Sequence, residues 1–364
     1  MRFNFIAKPA IYLLKPTSSA SSRFNHLSHL RTQYLYSIPA NMSTSTVINS
    51  KVGCLVDFDA NLLHKDLCQD LEHHVRQAQS FSNVHWFVVP GSTLNDSIES
   101  LLLARSGSQT GVLQGAHVIA TAGVHPYHTN TADHTSSDGT APAALRLREI
   151  ISAHKDVCKA VGECGLDYSE GFPSKDVQIP WFRIQVELAL ELRLPLYFHV
   201  RKAREDFVRL LREAGFPERG PPPVPCVVHC FTGDTDELQE YLQMGFHIGL
   251  TGYVLGMPEK LPAFSVDESA TQSAANGTAS LQQWLQMIPR DKLVIETDAP
   301  YMGFKGCRGT EDKKKNQKYP NVPASLRMVC DAVSRAGDED YLEVAQRTTS
   351  NALAFFGVQE SRES

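Results

Sequence analysis

The sequence predicts a single (β/α)8 TIM barrel of the α/β class. Eight short, continuously apolar runs recur between Val52 and Ile295, most of them separated by stretches with helical spacing. Such runs mark parallel strands buried on both faces. Polar residues close them: Asp59 and Asn61, His125, Glu163, His199, His229 and Asp298. Barrels of this kind gather their chemistry at the C-terminal strand ends. A doubly wound open sheet shares the alternation, but it does not explain why polar residues close so many different strands.

The first strand is read as Val52–Phe58, ending Asp57-Phe58-Asp59-Ala60-Asn61, with a helix expected over 62–80. Val84–Val89 is the second strand, stopped by Pro90-Gly91, and Asn95–Ala104 the second helix. Val118–Val124 leads to His125-Pro126-Tyr127-His128; a Ser/Thr-rich loop over 129–142 and a helix over Ala143–His154 follow. The fourth strand is short and expected to end at Glu163, inside Gly162-Glu163-Cys164-Gly165. Glycines on both sides of a carboxylate allow a sharp turn or a close backbone approach. Residues 174–193 are rich in helix formers, with Pro195 marking the stop. Leu196–Phe198 closes on His199, and Cys226–Val228 closes on His229 after the Pro-rich run 221–225. Phe246–Leu250 and Leu293–Ile295 are the last strands, the latter running into Glu296-Thr297-Asp298. Residues 258–279 are polar and read as an exposed insertion. Helices over about 323–335 and 338–356 finish the chain.

Residues 1–48 stand apart. Arg2, Lys8, Lys15, Arg23 and Arg31 are spread through Ser-containing sequence, and the first acidic residue is Asp57. That is the composition of an organelle transit peptide, and also of a tail without an address. The barrel is assigned to 49–358. The expected location is intracellular: cytoplasm, mitochondrion or nucleus. No apolar run reaches the roughly 18 residues of a membrane helix. The net charge of −5 argues against wholesale polyanion binding and leaves room for a local basic patch. The 8 cysteines show no paired Cys-x-x-Cys spacing and read as reduced core thiols.

Glu163, His199, His229 and Asp298 together have the makings of a divalent-metal centre. Imidazoles and carboxylates are hard or borderline ligands. Paired ions can clamp both the attacking and the leaving oxygen of a phosphate ester. One such His is more often a core or surface residue, but four strand ends closing on ligand types argue for a site.

These residues also carry a resemblance. Gly123-Val124-His125-Pro126, Gly162-Glu163-Cys164-Gly165-Leu166-Asp167-Tyr168, His199-Val200-Arg201, His229-Cys230-Phe231-Thr232-Gly233 and Glu296-Thr297-Asp298-Ala299-Pro300-Tyr301 are similar, in order, to the signature blocks of the TatD family of metal-dependent deoxyribonucleases. The resemblance implies an amidohydrolase-type barrel and divalent-metal hydrolysis of DNA phosphodiesters, often as a 3′→5′ exonuclease. It matches Glu163, His199, His229 and Asp298 to metal ligands. It gives Glu163 and Asp298 catalytic roles, with Asp298 helping to deprotonate the attacking water. Many members carry His-x-His at the end of the first strand, where this chain has Asp59-Ala60-Asn61. Oxygen donors there suit Mg²⁺ or Mn²⁺ better than Zn²⁺. That position either holds a second ion or leaves one ion alone.

His125 either contacts a phosphate or a metal-held water, or shapes the loop before Pro126. Arg201 can grip a phosphate bidentately or form a structural ion pair. Lys313, Lys314 and Lys315 follow the eighth strand, and a basic lip there would attract a DNA backbone whatever its sequence. The expected partner is DNA, as single strands or frayed ends, with no membrane. Two other functions stay open: hydrolysis of another ester such as aminoacyl-tRNA, and non-catalytic nucleic-acid binding. Oligomeric state is not legible.

Overall fold

The computed structural model describes residues 53–110, 113, 115–130, 141–259, 279–309 and 321–358. The extension 1–48, most of the insertion at 258–279, and Lys313, Lys314 and Lys315 lie outside the described residues. Eight parallel strands stand side by side in sequence order. They are β1 (Leu55–Asp57), β2 (Val84–Val89), β3 (His117–Ala122), β4 (Cys158–Asp167), β5 (Leu196–Arg201), β6 (Cys226–Val228), β7 (His247–Leu250) and β8 (Leu293–Ile295). No described helix is long and apolar enough to cross a membrane.

The ring closes between β8 and β1 through a few bonds. Ala60 and Ala299 form a parallel bridge. Phe58 N donates to Ile295 O at 3.2 Å, and Asp298 N donates to Asp59 O at 2.8 Å. Below these, the buried Asp57 carboxylate accepts from Thr297 N at 2.8 Å and from Thr297 Oγ1 at 2.6 Å. The seam therefore runs directly beneath the candidate site.

Strand side chains alternate between two cores. Val56, Phe58, Val88, Ile119, Ala160, Tyr197, Val227 and Val294 fill the barrel interior, where Phe355 and Phe356 at the end of the C-terminal helix join them. The opposite faces pack under the surrounding helices. Successive inward positions are two residues apart. One step beyond Tyr197, Val227 and Val294 come His199, His229 and Glu296. The same alternation that fills the core thus delivers the site residues to the mouth.

Two sequence expectations are corrected. The helix expected over 62–80 is two helices, α1 (Lys65–Cys68) and α2 (Leu71–Ser82). His64 caps α1, its Nδ1 accepting from Asp66 N, and Asp70 leaves the helical region at φ −134°, ψ 43° before α2 begins. β4 does not end at Glu163 but runs on to Asp167, with a register shift between Val161 and Cys164. Strict alternation from Ala160 would point Glu163 outward. The shift places Val161 and Cys164 in the outer core and turns Glu163 inward. Glycine permits this: Gly162 has φ 143°, and a Cβ there would meet Tyr197 O at 2.3 Å. At Gly165, φ 149°, a Cβ would lie 1.8 Å from His199 O.

Candidate metal centre at the barrel mouth

The inward turn of Glu163 brings β4, β5 and β6 together at one point. Glu163 Oε1 lies 2.7 Å from His229 Nε2, 3.4 Å from His125 Nε2 and 3.6 Å from His199 Nδ1. His199 Nδ1 is 3.3 Å from His229 Nε2. On its other side, His229 Nδ1 lies 3.3 Å from Asp59 Oδ2 and 3.7 Å from Glu296 Oε1. Two donor groups result: His125, Glu163 and His199, and, deeper, Asp59, His229 and Glu296. His229 touches both. Asp298 is tied to Asp59 by Asn61, whose Nδ2 donates to Asp59 Oδ1 at 3.1 Å and to Asp298 Oδ1 at 3.2 Å. Of the residues singled out from the sequence, Glu163, His199, His229, His125, Asp59, Asn61 and Asp298 therefore converge. Asn61 turns its nitrogen to the carboxylates, so ligation through its oxygen needs the amide turned about.

Arg201 stands two residues beyond His199 on β5. Arg201 ends β5 exposed and makes no ion pair among the described residues. His125 does shape its loop, its Nδ1 accepting from Tyr127 N at 3.1 Å, and the same ring turns Nε2 to Glu163.

Four residues were assigned no role of their own by the sequence reading. Asp167 accepts from His199 Nε2 at 2.9 Å and from Ser169 N at 2.8 Å, which fixes the His199 ring with Nδ1 toward the site. Tyr197 donates toward Asp59 Oδ2 and Phe58 O, both at 2.8 Å, bracing the deep carboxylate from below. Glu296 accepts from Cys230 N, and Asp57 holds Thr297. A signal existed for Glu296, Asp57 and Tyr197: each stands two residues before a site residue that was recognised.

The electrostatics suit a divalent cation. Asp59, Glu163, Glu296 and Asp298 are at most 9% exposed and share one pocket. Burial, with repulsion from neighbouring carboxylates, raises Asp298 to about 6 and Glu296 to about 7, and Asp59 well above the carboxylate range. Burial opposes charge on Glu163, but His125 and His229 outweigh it and hold Glu163 well below its usual value. His229 is driven the other way, well above 6.5: burial resists the charge, and Glu163, Asp59 and Glu296 overcome it. Burial takes His125 down to about 3, leaving a neutral ring fit to be a ligand. His229 Nδ1, moreover, is buried without a hydrogen-bond partner. Mixed nitrogen and oxygen donors around concentrated negative charge suit a divalent ion.

This predicts a pH response of the ion-free protein. Asp298 and Glu296 hold protons to about 6 and about 7 when folded, against 3.8 and 4.5 ordinarily. Between those values the folded chain binds the more protons, so stability falls as pH rises. His229 acts in the same sense, its contribution being complete below 6.5 and lost as pH climbs through its raised value. Glu163 opposes only at the acid end, its contribution being lost as pH falls below 4.5. Below 6.5 the lowered rings of His125, His247, His85, His117 and His154 oppose, because their unfolded forms take up protons that the folded ones do not; between about pH 6.5 and 8, therefore, the melting temperature of chelator-treated protein should decline, and a divalent ion should raise it more at the upper pH. Calorimetry at the two pH values checks this; an equal ion-induced shift at both would show that the pocket does not carry the charge described.

A model of the TatD related DNase family matches residues 56–357 of this chain. The protein named 3′-5′ ssDNA/RNA exonuclease TatD in Erwinia amylovora is 30% identical over 308 residues, covering 84% of this chain and 100% of that protein. Its namesake in a Rahnella species is 31% identical over 308 residues, covering 85% and 100%. Among solved structures, a TatD family hydrolase from Entamoeba histolytica has the same fold at a TM-score of 0.63 and 22% identity, covering 84% of this chain and 98% of that one. A TatD homologue from Escherichia coli follows at 0.61, also at 22% identity, covering 84% and 98%. With the family model spanning the whole barrel, the chain belongs to the TatD-related DNase family.

Proposed function

We propose that this protein is a divalent-metal-dependent nuclease that removes nucleotides from the 3′ ends of single-stranded DNA, and of RNA. The observation that carries this reading is the buried cluster of carboxylates and imidazoles at the barrel mouth, in a chain of this family. The relatives' printed names support the polarity and extend the substrate to RNA. Glu163, His199, His229 and Asp298 hold the ion, with His125 beside them and Asp59 and Asn61 on the oxygen-rich side that favours Mg²⁺ or Mn²⁺ over Zn²⁺.

When bound, a divalent ion polarises the phosphate and makes an attacking water more acidic. The chain supplies the rest. Asp298, raised to about 6, accepts the water's proton at a carboxylate oxygen near neutral pH. Asp167 holds the His199 ring in one orientation, so the ligands need not reorganise. Arg201, exposed at the end of β5, grips a phosphate of the strand.

The test is release of nucleotides from 3′-labelled and 5′-labelled single strands by the pure protein, with Mg²⁺, Mn²⁺, Zn²⁺ or chelator. Loss of the 3′ label first, only with metal, is expected. No release with any ion, alongside cleavage of an aminoacyl ester, would move the reading to another ester; binding without cleavage would make it a non-catalytic nucleic-acid protein.

Two further expectations concern segments outside the described residues. Lys313, Lys314 and Lys315 contact the substrate backbone. Replacing all three with Ala raises KM, leaves kcat near wild type and makes the salt dependence shallower; an unchanged salt slope would mark the run as solvated surface. Residues 1–48 direct import into mitochondria. A reporter fused behind them should enter the organelle, and a purely cytosolic reporter would refute the address.

A further inference from the structure

Beside the ligand cluster, the mouth carries a row of aromatic rings that the hydrolytic chemistry does not use. Tyr127, in the 3-10 turn Pro126–His128, is 54% exposed. Its ring is nonetheless held. It stands nearly perpendicular to Phe172 at 5.3 Å and to His128 at 5.1 Å. Its backbone N–H is anchored on His125. Phe172, in the loop after β4, is half-buried and continues inward, packing against His125 at 6.1 Å and lying almost parallel to His199 at 6.4 Å. The row thus runs from the ligand imidazoles on the floor to a fixed ring at the rim.

Leaving so much of a large ring in water forgoes its burial, while its neighbours immobilise it. A rigid aromatic face beside a phosphate-cleaving centre suits one class of ligand: an unpaired nucleobase, whose π-face stacks whatever its identity. We propose that Tyr127, backed by Phe172, is the stacking platform for the base nearest the scissile phosphate. The inference rests on the nuclease reading and goes beyond it. Bases stacked within a duplex cannot reach the platform, so the ring, rather than the hydrolytic groups, sets the preference for single strands.

The experiment compares hydrolysis, with the preferred metal, of a single strand carrying normal terminal nucleotides and of one abasic at the last two positions. Wild type should favour the normal end by about 5- to 150-fold in kcat/KM, the range that one base–aromatic stack supplies. Tyr127→Ala should lower kcat/KM on the normal end to the abasic level, mainly through KM, while Tyr127→Phe stays close to wild type. Tyr127 is exposed, so truncation should not disturb folding. Phe81→Ala serves as control, removing an equally exposed ring at the end of α2, where the chain enters β2; KM should not move. Fluorescence of a terminal 2-aminopurine should be quenched on binding to wild type and not on binding to Tyr127→Ala. Equal use of normal and abasic ends by wild type, or a Tyr127→Ala variant with unchanged KM, would overturn the platform and leave the nuclease standing. No hydrolysis of any strand by wild type would instead remove the nuclease reading, and the platform with it.

Discussion

Asp298→Asn should reduce kcat on single-stranded DNA by about 10²- to 10⁴-fold, the range that a positioned general base contributes. The substitution keeps an oxygen able to accept from Asn61 Nδ2, which lies 3.2 Å from Oδ1, so the mouth keeps its shape. It removes the proton acceptor and one negative charge from a pocket where burial and repulsion already raise Asp298 to about 6. The two effects separate experimentally. Turnover should collapse even at saturating metal. Melting of the ion-free variant near pH 8 should occur at or above the wild-type temperature, because a crowded buried charge has been relieved. Near-wild-type turnover in a folded, metal-loaded variant would take Asp298 out of the mechanism. A large fall in melting temperature would mean that the loss of activity is structural.

The second large effect falls on stability. Asp57→Ala should cost about 3 kcal/mol of folding free energy, because buried donors left without an acceptor cost on the order of 1–3 kcal/mol each. The donors are Thr297 N and Thr297 Oγ1, both on the far side of the β1–β8 seam. Thr297 Oγ1 has a second acceptor in Asp59 O at 3.3 Å, so the hydroxyl can recover part of its loss; the backbone N–H cannot. Asp57→Asn keeps one carbonyl oxygen for that N–H and should cost less. The carboxylate is costly to bury, and Thr297 offsets that cost with two bonds, so the pair is coupled. Denaturant unfolding of Asp57→Ala, Thr297→Val and the double variant checks this: the double should cost clearly less than the sum. Strict additivity would show that the seam is held elsewhere. Since Asp59 and Asp298 flank this pair in the chain, Asp57→Ala should also weaken metal binding, although Asp57 is not among the proposed ligands.

The barrel and most of the candidate site were legible because the information is local. Eight continuously apolar runs report strands buried on both faces, and the residue that closes each run must sit at one end of the sheet. His199 and His229 were found in this way, and His125 and Asp298 with them. Glu163 was found too, but for an incomplete reason. Its strand continues to Asp167, and a register shift beside Gly162 turns its side chain inward. A shift of one residue leaves no trace in composition or periodicity, since it depends on how β4 lies against β5. The roles of Asp167 and Tyr197 were hidden on the same ground: a carboxylate that orients an imidazole, and a hydroxyl that braces a carboxylate, are defined by a partner 32 and 138 residues away. The number and order of strands, the end that carries the candidate site and the donor types gathered there follow from local pattern. Which donors face one another, how Asn61 spans two carboxylates and where Tyr127 stands relative to the imidazoles depend on contacts between distant segments. Alternation places a side chain on a face of its strand; the distance between side chains on different strands is set by how the strands pack.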